Sequence, residues 1–129
     1  MRILISNISS YKAIVVANFI KISYNDVFII GVDSIPLMKI FHVNSIDSFI
    51  HIQLDKNYIK SLKKIIVEQN VDIYLPTHSS EMELIIKNKS ELNNAVNYLG
   101  NFNQFNNIND KLLLSHICSH LNILAPLRY

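Results

Sequence analysis

Three short polar clusters carry most of the chemistry in this sequence. Asn7, Ser9 and Ser10 follow one apolar run, Asp33 and Ser34 follow a second, and Thr77, His78, Ser79, Ser80 and Glu81 follow a third. Hydroxyls and amides both donate and accept, carboxylates accept, and a histidine does either, so these clusters suit hydrogen-bonded recognition of a small polar molecule. A plainer reading stands beside that one. Ser9, Ser10 and Ser80 each fit a helix start, where a side-chain oxygen satisfies an orphan backbone N–H. Thr77, His78 and Glu81 equally fit a local network that orders a turn.

His116 and His120 lie four apart and, on a helix, face the same way, while Cys118 turns away from them. Zinc demands three or four ligands, and no third is near in sequence, so no metal site is expected. Cys118 has no lysine, arginine or helix start placed to stabilise its thiolate, which predicts a buried, unreactive thiol. No residue is assigned a catalytic role.

The first turn, Asn7-Ile8-Ser9-Ser10, contains no glycine. A dinucleotide site needs glycine there so that the backbone can approach the pyrophosphate. Asp33 sits where a ribose-binding carboxylate would, but that feature alone does not restore such a site, and a nucleotide-dependent oxidoreductase is disfavoured. A phosphorylated receiver would need an acidic pair after the first strand to hold Mg²⁺, and that pair is missing too.

The elements that must position these clusters follow from periodicity. Arg2 to Ser6 is a β-branched run predicting a strand buried on both faces. A helix capped by Ser9 or Ser10 should run to about Ser23, burying Ala13, Ala17 and Ile20. Val27 to Val32 is the second strand, Ser34 to Asp47 an irregular stretch containing Pro36, and Phe49 to Ile52 the third strand. Asn57 to Gln69 reads as a helix with Ile59, Leu62 and Ile66 inward, and Asp72 to Leu75 as a strand stopped by Pro76.

Ser80 and Glu83 form a capping-box pattern opening a helix to about Asn88. A further helix is expected from Glu91 to Leu99, capped by Ser90, then a polar loop from Asn101 to Asn107 with two Phe anchors. Asn109 should cap a last helix, with Leu113, Ile117 and Leu121 as its seam, ending at Asn122. Strands alternating with helices predict an α/β fold, a parallel sheet with helices on both faces, in one domain spanning 1–129. Ligands in such sheets bind outside the carboxyl ends of the strands, where strand order reverses, which is where the three clusters fall.

Composition closes off other classes. The chain is 129 residues long, 50% hydrophobic and 17% charged, with a mean hydropathy of +0.22. Such a chain buries enough apolar surface to fold. Net charge is +2, from twelve Lys and Arg spread among ten Asp and Glu, so no basic tract for nucleic acid or anionic lipid is present. Apolar runs fall far short of the roughly 20 residues that cross a membrane, and polar residues interrupt the start where a signal peptide would need an apolar core. With Cys118 the sole cysteine, a cytoplasmic setting is expected, with no nucleic-acid or membrane partner.

The order of the pieces carries a resemblance. Val71-Asp72-Ile73-Tyr74-Leu75-Pro76 followed by Glu81, then Asp110-Lys111 opening a helix, then Leu121-Asn122-Ile123-Leu124-Ala125-Pro126, resembles the N-terminal domain of ATP-grasp enzymes. Members include the carbamoyl-phosphate synthetase large chain, biotin carboxylase and D-alanine–D-alanine ligase. The resemblance implies a three-layer Rossmann-like pre-ATP-grasp domain that ends in an Asp-Lys helix and a Gly-Ile-x-x-Pro-like turn. It implies a role in activating a small-molecule carboxylate as an acyl-phosphate, with ATP and Mg²⁺ held by ATP-grasp domains supplied in cis or in trans. This stretch alone is then inactive.

Lys111 is implied to reach the nucleotide phosphates; otherwise it is an exposed lysine beside Asp110. The acceptor is implied to lean on Asn7, Ser9, Thr77, His78 and Glu81, which with Ser10 and Asp33 from the same loops make the expected substrate-binding set. Two departures stand out: the glycine-free first turn, and Asn122 in place of a glycine, which asparagine's access to the left-handed conformation makes tolerable. A homodimer fits the family. The competing class is a stand-alone ligand-binding or docking domain on the same fold.

Overall fold

The computed structural model describes residues 1–36, 44–96 and 99–123, the side chains of 93, 94 and 108 excepted. The chain forms two compact units, Met1–Tyr98 and Leu99–Tyr129.

The first unit is an α/β sandwich of the expected three-layer, Rossmann-like kind. Its strands β1 (Arg2–Ser6), β2 (Phe28–Asp33), β3 (Ser48–His51) and β4 (Ile73–Leu75) make one sheet in the order β3-β2-β1-β4. Every pairing is parallel, with Ser6 opposite Val32 and Ile5 opposite both Gly31 and Leu75. Apolar residues on both faces of β1 and β2 follow from helices covering each side.

Helix α1 (Tyr11–Ser23) covers one face. Ser10 caps it, its Oγ accepting from the Ala13 amide at 3.3 Å. Ala13, Ala17 and Ile20 are buried as expected, against Ile3, Ile5 and Ile29. Gly31 has no room for a side chain on this face, since a Cβ there would lie 2.9 Å from Ile8 Cγ1 and 3.1 Å from Ile46 Cδ1. Glycine in the central part of β2 is what lets Ile8 fold back over the strand.

Helix α2 (Tyr58–Glu68) covers the opposite face, burying Tyr58, Leu62, Ile65 and Ile66. Ile59, expected inward, is half-buried, because the seam is rotated to bring Tyr58 beneath the sheet. Helix α3 (Ser79–Lys87) begins one residue before Ser80. The expected capping box is therefore not made: Ser80 pairs with His78, and Glu83 takes Lys87 at 2.7 Å one turn on.

In place of the helix expected over Glu91–Leu99, the described residues form two 3₁₀ turns, Lys89–Glu91 and Asn93–Val96, while 97–98 lie outside the described residues. Leu92, Ala95 and Val96 are all buried there, and the tighter winding brings residues three apart onto one side.

In the second unit, α4 (Phe102–Asn109) replaces the expected polar loop. Asn101 and Gln104 close a reciprocal capping box, at 2.9 and 3.0 Å, and supply the helix start that composition concealed. Helix α5 (Lys111–His120) is capped by Asp110, not Asn109, which is the last residue of α4. Asp110 Oδ1 accepts from the Leu112 and Leu113 amides at 2.9 and 3.1 Å.

The end of α5 follows the sequence closely. Asn122 adopts φ 53°, with the Ile123 amide donating to Cys118 O at 2.8 Å and the Asn122 amide to Ser119 O at 3.2 Å. That is the Schellman arrangement, normally built on glycine. The following residues 124–126, part of the Pro-turn reading, lie outside the described residues, as does 37–43 of the irregular stretch. Cys118, expected buried, is half-buried. Among the described residues no helix is long and apolar enough to cross a membrane.

Candidate functional site

The strand order reverses between β1 and β4: β2 and β3 lie on one side of β1, and the chain then crosses back to lay down β4 on the other. Loops leave the carboxyl ends of these two strands in opposite directions and part from each other, which opens a crevice. A cleft of about 210 Å³ occupies that end of the sheet. Ser6, Asn7, Asp33, Ser34, His78, Ser80 and Glu81 supply its polar lining, and Val32, Ile52, Leu54 and Tyr58 the rest.

Glu81 organises the floor. It is 4% exposed, in the first turn of α3, and takes three hydroxyl donors. Ser6 Oγ, at the end of β1, donates to Oε2 at 2.5 Å. The hydroxyls of Tyr58 and Tyr74 both donate to Oε1 and lie 3.1 Å from each other. Burial first, and then the negative charge of Glu81, push both phenols well above the ordinary tyrosine value; Asp33 adds to the rise at Tyr58. These tyrosines therefore stay protonated and act as donors, not bases.

Asp33, also 4% exposed, holds the first turn in place. Its Oδ2 accepts from the Ser9 amide and its Oδ1 from the Ile35 amide, each at 2.9 Å. Asn7 begins that turn at φ 49°, the left-handed conformation that glycine would otherwise supply. A glycine-free first turn is thus made by one asparagine and one carboxylate from the next strand.

Of the residues expected to bind substrate, Asn7, Asp33, His78 and Glu81 line the cleft. Ser9, Ser10 and Thr77 do not. Ser9 gives its amide to Asp33 and Ser10 caps α1. Thr77 ties β4 to β1, its Oγ1 donating to Ser6 O at 2.8 Å and its amide to Ser6 Oγ at 3.4 Å. His78 is exposed, with Nδ1 2.7 Å from Ser80 Oγ. Lys111 belongs to the second unit, exposed at the first position of α5.

Sequence reasoning missed Ser6, Tyr58 and Tyr74. A signal existed for Tyr74: a tyrosine inside a strand covered on both faces must find a partner for its hydroxyl, and a carboxylate seven residues on is a natural one. Tyr58 gave no comparable sign. Among the described residues no buried side-chain N or O lacks a partner, and no three His, Cys, Asp or Glu side chains are grouped to hold a metal ion.

No family model matches the chain, and comparison with curated proteins gives no match.

Proposed function

We propose that this chain is the acceptor-binding, pre-ATP-grasp part of an ATP-grasp carboxylate ligase. The observation that carries the reading is the cleft at the β1/β4 reversal, built from the loops after β1, β2 and β4. A pocket lined by convergent polar groups over a few apolar ones suits a small metabolite.

The second unit supports the ligase class over a generic binding domain. Asp110 caps a helix whose first residue is Lys111, and Asn122 takes the backbone conformation of the glycine it replaces. Lys111 is then the residue that meets nucleotide phosphates as a point charge. The nucleotide's Mg²⁺ is a different matter, because the described residues group no carboxylates for it. No step through the metal is assigned to this chain; its own task is to bind and orient the acceptor.

A second reading, a docking domain without ligase activity, is favoured by one feature. Tyr11, Val15, Phe19 and Ile22 form an exposed apolar stripe along the outer side of α1.

The coding sequence after Tyr129, or a neighbouring reading frame, separates the two. The ligase reading expects a glycine-rich loop, a further lysine and paired Glu and Asn magnesium ligands there. The assembled protein should then form ADP from ATP only when a carboxylate acceptor is added. ADP formation indifferent to any acceptor, or no such segment in either place, would overturn it.

A further inference from the structure

This inference rests on the reading of the cleft as a ligand site and extends it to the charge of what enters. In a parallel α/β sheet the turn after the first strand is the usual seat of a phosphate, because its amides and the helix start favour an anion. Here the seat is filled from within. Asp33 reaches across from the end of β2, and its Oδ2 takes the Ser9 amide that would otherwise face a phosphate oxygen.

Glu81 lines the same cleft, and like Asp33 it is at least nine-tenths buried. The donors on both carboxylates are uncharged: backbone amides on Asp33, hydroxyls on Glu81. Among the described residues no lysine or arginine lines the cleft, and the ion pairs Lys21–Asp47, Lys64–Glu68 and Lys87–Glu83 involve none of its lining residues. Hydrogen bonding is thus satisfied while charge is not. Such a site favours an entering cation and rejects an anion.

The lining also includes apolar Ile52 and Leu54, and the volume is equivalent to on the order of seven waters. We infer that Asp33 occupies the anion seat of the first turn, and that the cleft takes a small ligand by a positively charged amine, its hydrocarbon against Ile52 and Leu54. In the ligase reading, the acceptor carries an ammonium group as well as the carboxylate to be activated.

The test is an NMR titration of the 129-residue chain near neutral pH with n-butylammonium chloride, sodium butyrate and inorganic phosphate at matched ionic strength. Butylammonium should shift the amides of Asn7, Ser34 and Ser80 saturably, with an affinity about ten-fold or more above that of butyrate. Phosphate should shift none of them. Leu54→Lys, at an exposed rim position, should weaken the amine about ten-fold and admit butyrate. Asp33→Asn should act in the same direction, and Leu54→Lys keeps the test open if that variant does not fold.

Butyrate or phosphate binding as tightly as the amine would overturn the charge assignment and leave the cleft a ligand site. Amine affinity unchanged by Leu54→Lys would overturn the assignment as well. If no probe moves any cleft amide, both the assignment and the ligand-site reading fail.

Discussion

Ser6 Oγ and Glu81 Oε2 meet at 2.5 Å across 75 residues of sequence, joining the end of β1 to the first turn of α3. The bond spans the point where strand order reverses, so it fixes the separation of the two loops that border the cleft.

Removing Glu81 should therefore cost more than removing any one of its partners. Glu81→Ala takes the shared acceptor from three buried hydroxyls, and urea denaturation should show a loss of about 2 to 4 kcal/mol. Tyr58→Phe and Tyr74→Phe should each cost about 1 kcal/mol, and the double variant should differ from their sum, because both donate to the same oxygen. Strict additivity would show that the two bonds are independent.

Asp47 gives the fold an acid-sensitive tie. Burial opposes its ionisation, yet the Lys21 ammonium at 2.6 Å and the Ile29 amide at 2.6 Å, with the charge of Lys21, hold its carboxyl below the ordinary value of 3.8. A lowered folded-state value means stability that is complete above the unfolded value, about 4, and lost as pH falls through the folded one. The stability gap between the natural chain and Asp47→Asn should thus be constant above about pH 5 and shrink steadily below about pH 4. A gap that widens on acidification would contradict the assignment.

Gly31→Ala should destabilise by about 1 to 3 kcal/mol, since the new methyl collides with Ile8 on a strand fixed from both sides. Paired with Ile8→Ala, the same change should cost less than the two single losses added together. Thermal denaturation of the four chains decides it.

Asn122 can be probed by exchange of the Ile123 amide, which closes the end of α5. Asn122→Gly should protect that amide at least as well, and Asn122→Val should expose it, the left-handed conformation costing a β-branched residue about 1 to 2 kcal/mol. Equal protection in all three would show that φ at 122 does not set the helix end.

Much of the architecture is local and was legible. The strands, the Ala13–Ala17–Ile20 face and the left-handed Asn122 each follow from periodicity or from one residue's conformational range within a turn or two. The start of α3 is set by distant contacts instead. Ser80 with Glu83 has the pattern of a helix start, but Glu81 is drawn inward to Ser6 and both tyrosines, and α3 begins where that demands.

Local patterning sets the alternation of strands and helices, and with it the end of the sheet on which polar loops gather. Which of those polar residues face the cleft, and which are consumed in building it, depends on contacts between distant segments. Asp33 and Ser9, or Ser6 and Thr77, are 24 and 71 residues apart, and a hydrogen bond between such residues leaves no periodic trace in either segment. Burial supplies the reason: once Glu81 leaves water, its oxygens must be met by whatever donors the fold brings near, which are Ser6 from β1, Tyr74 from its neighbour β4 and Tyr58 from α2.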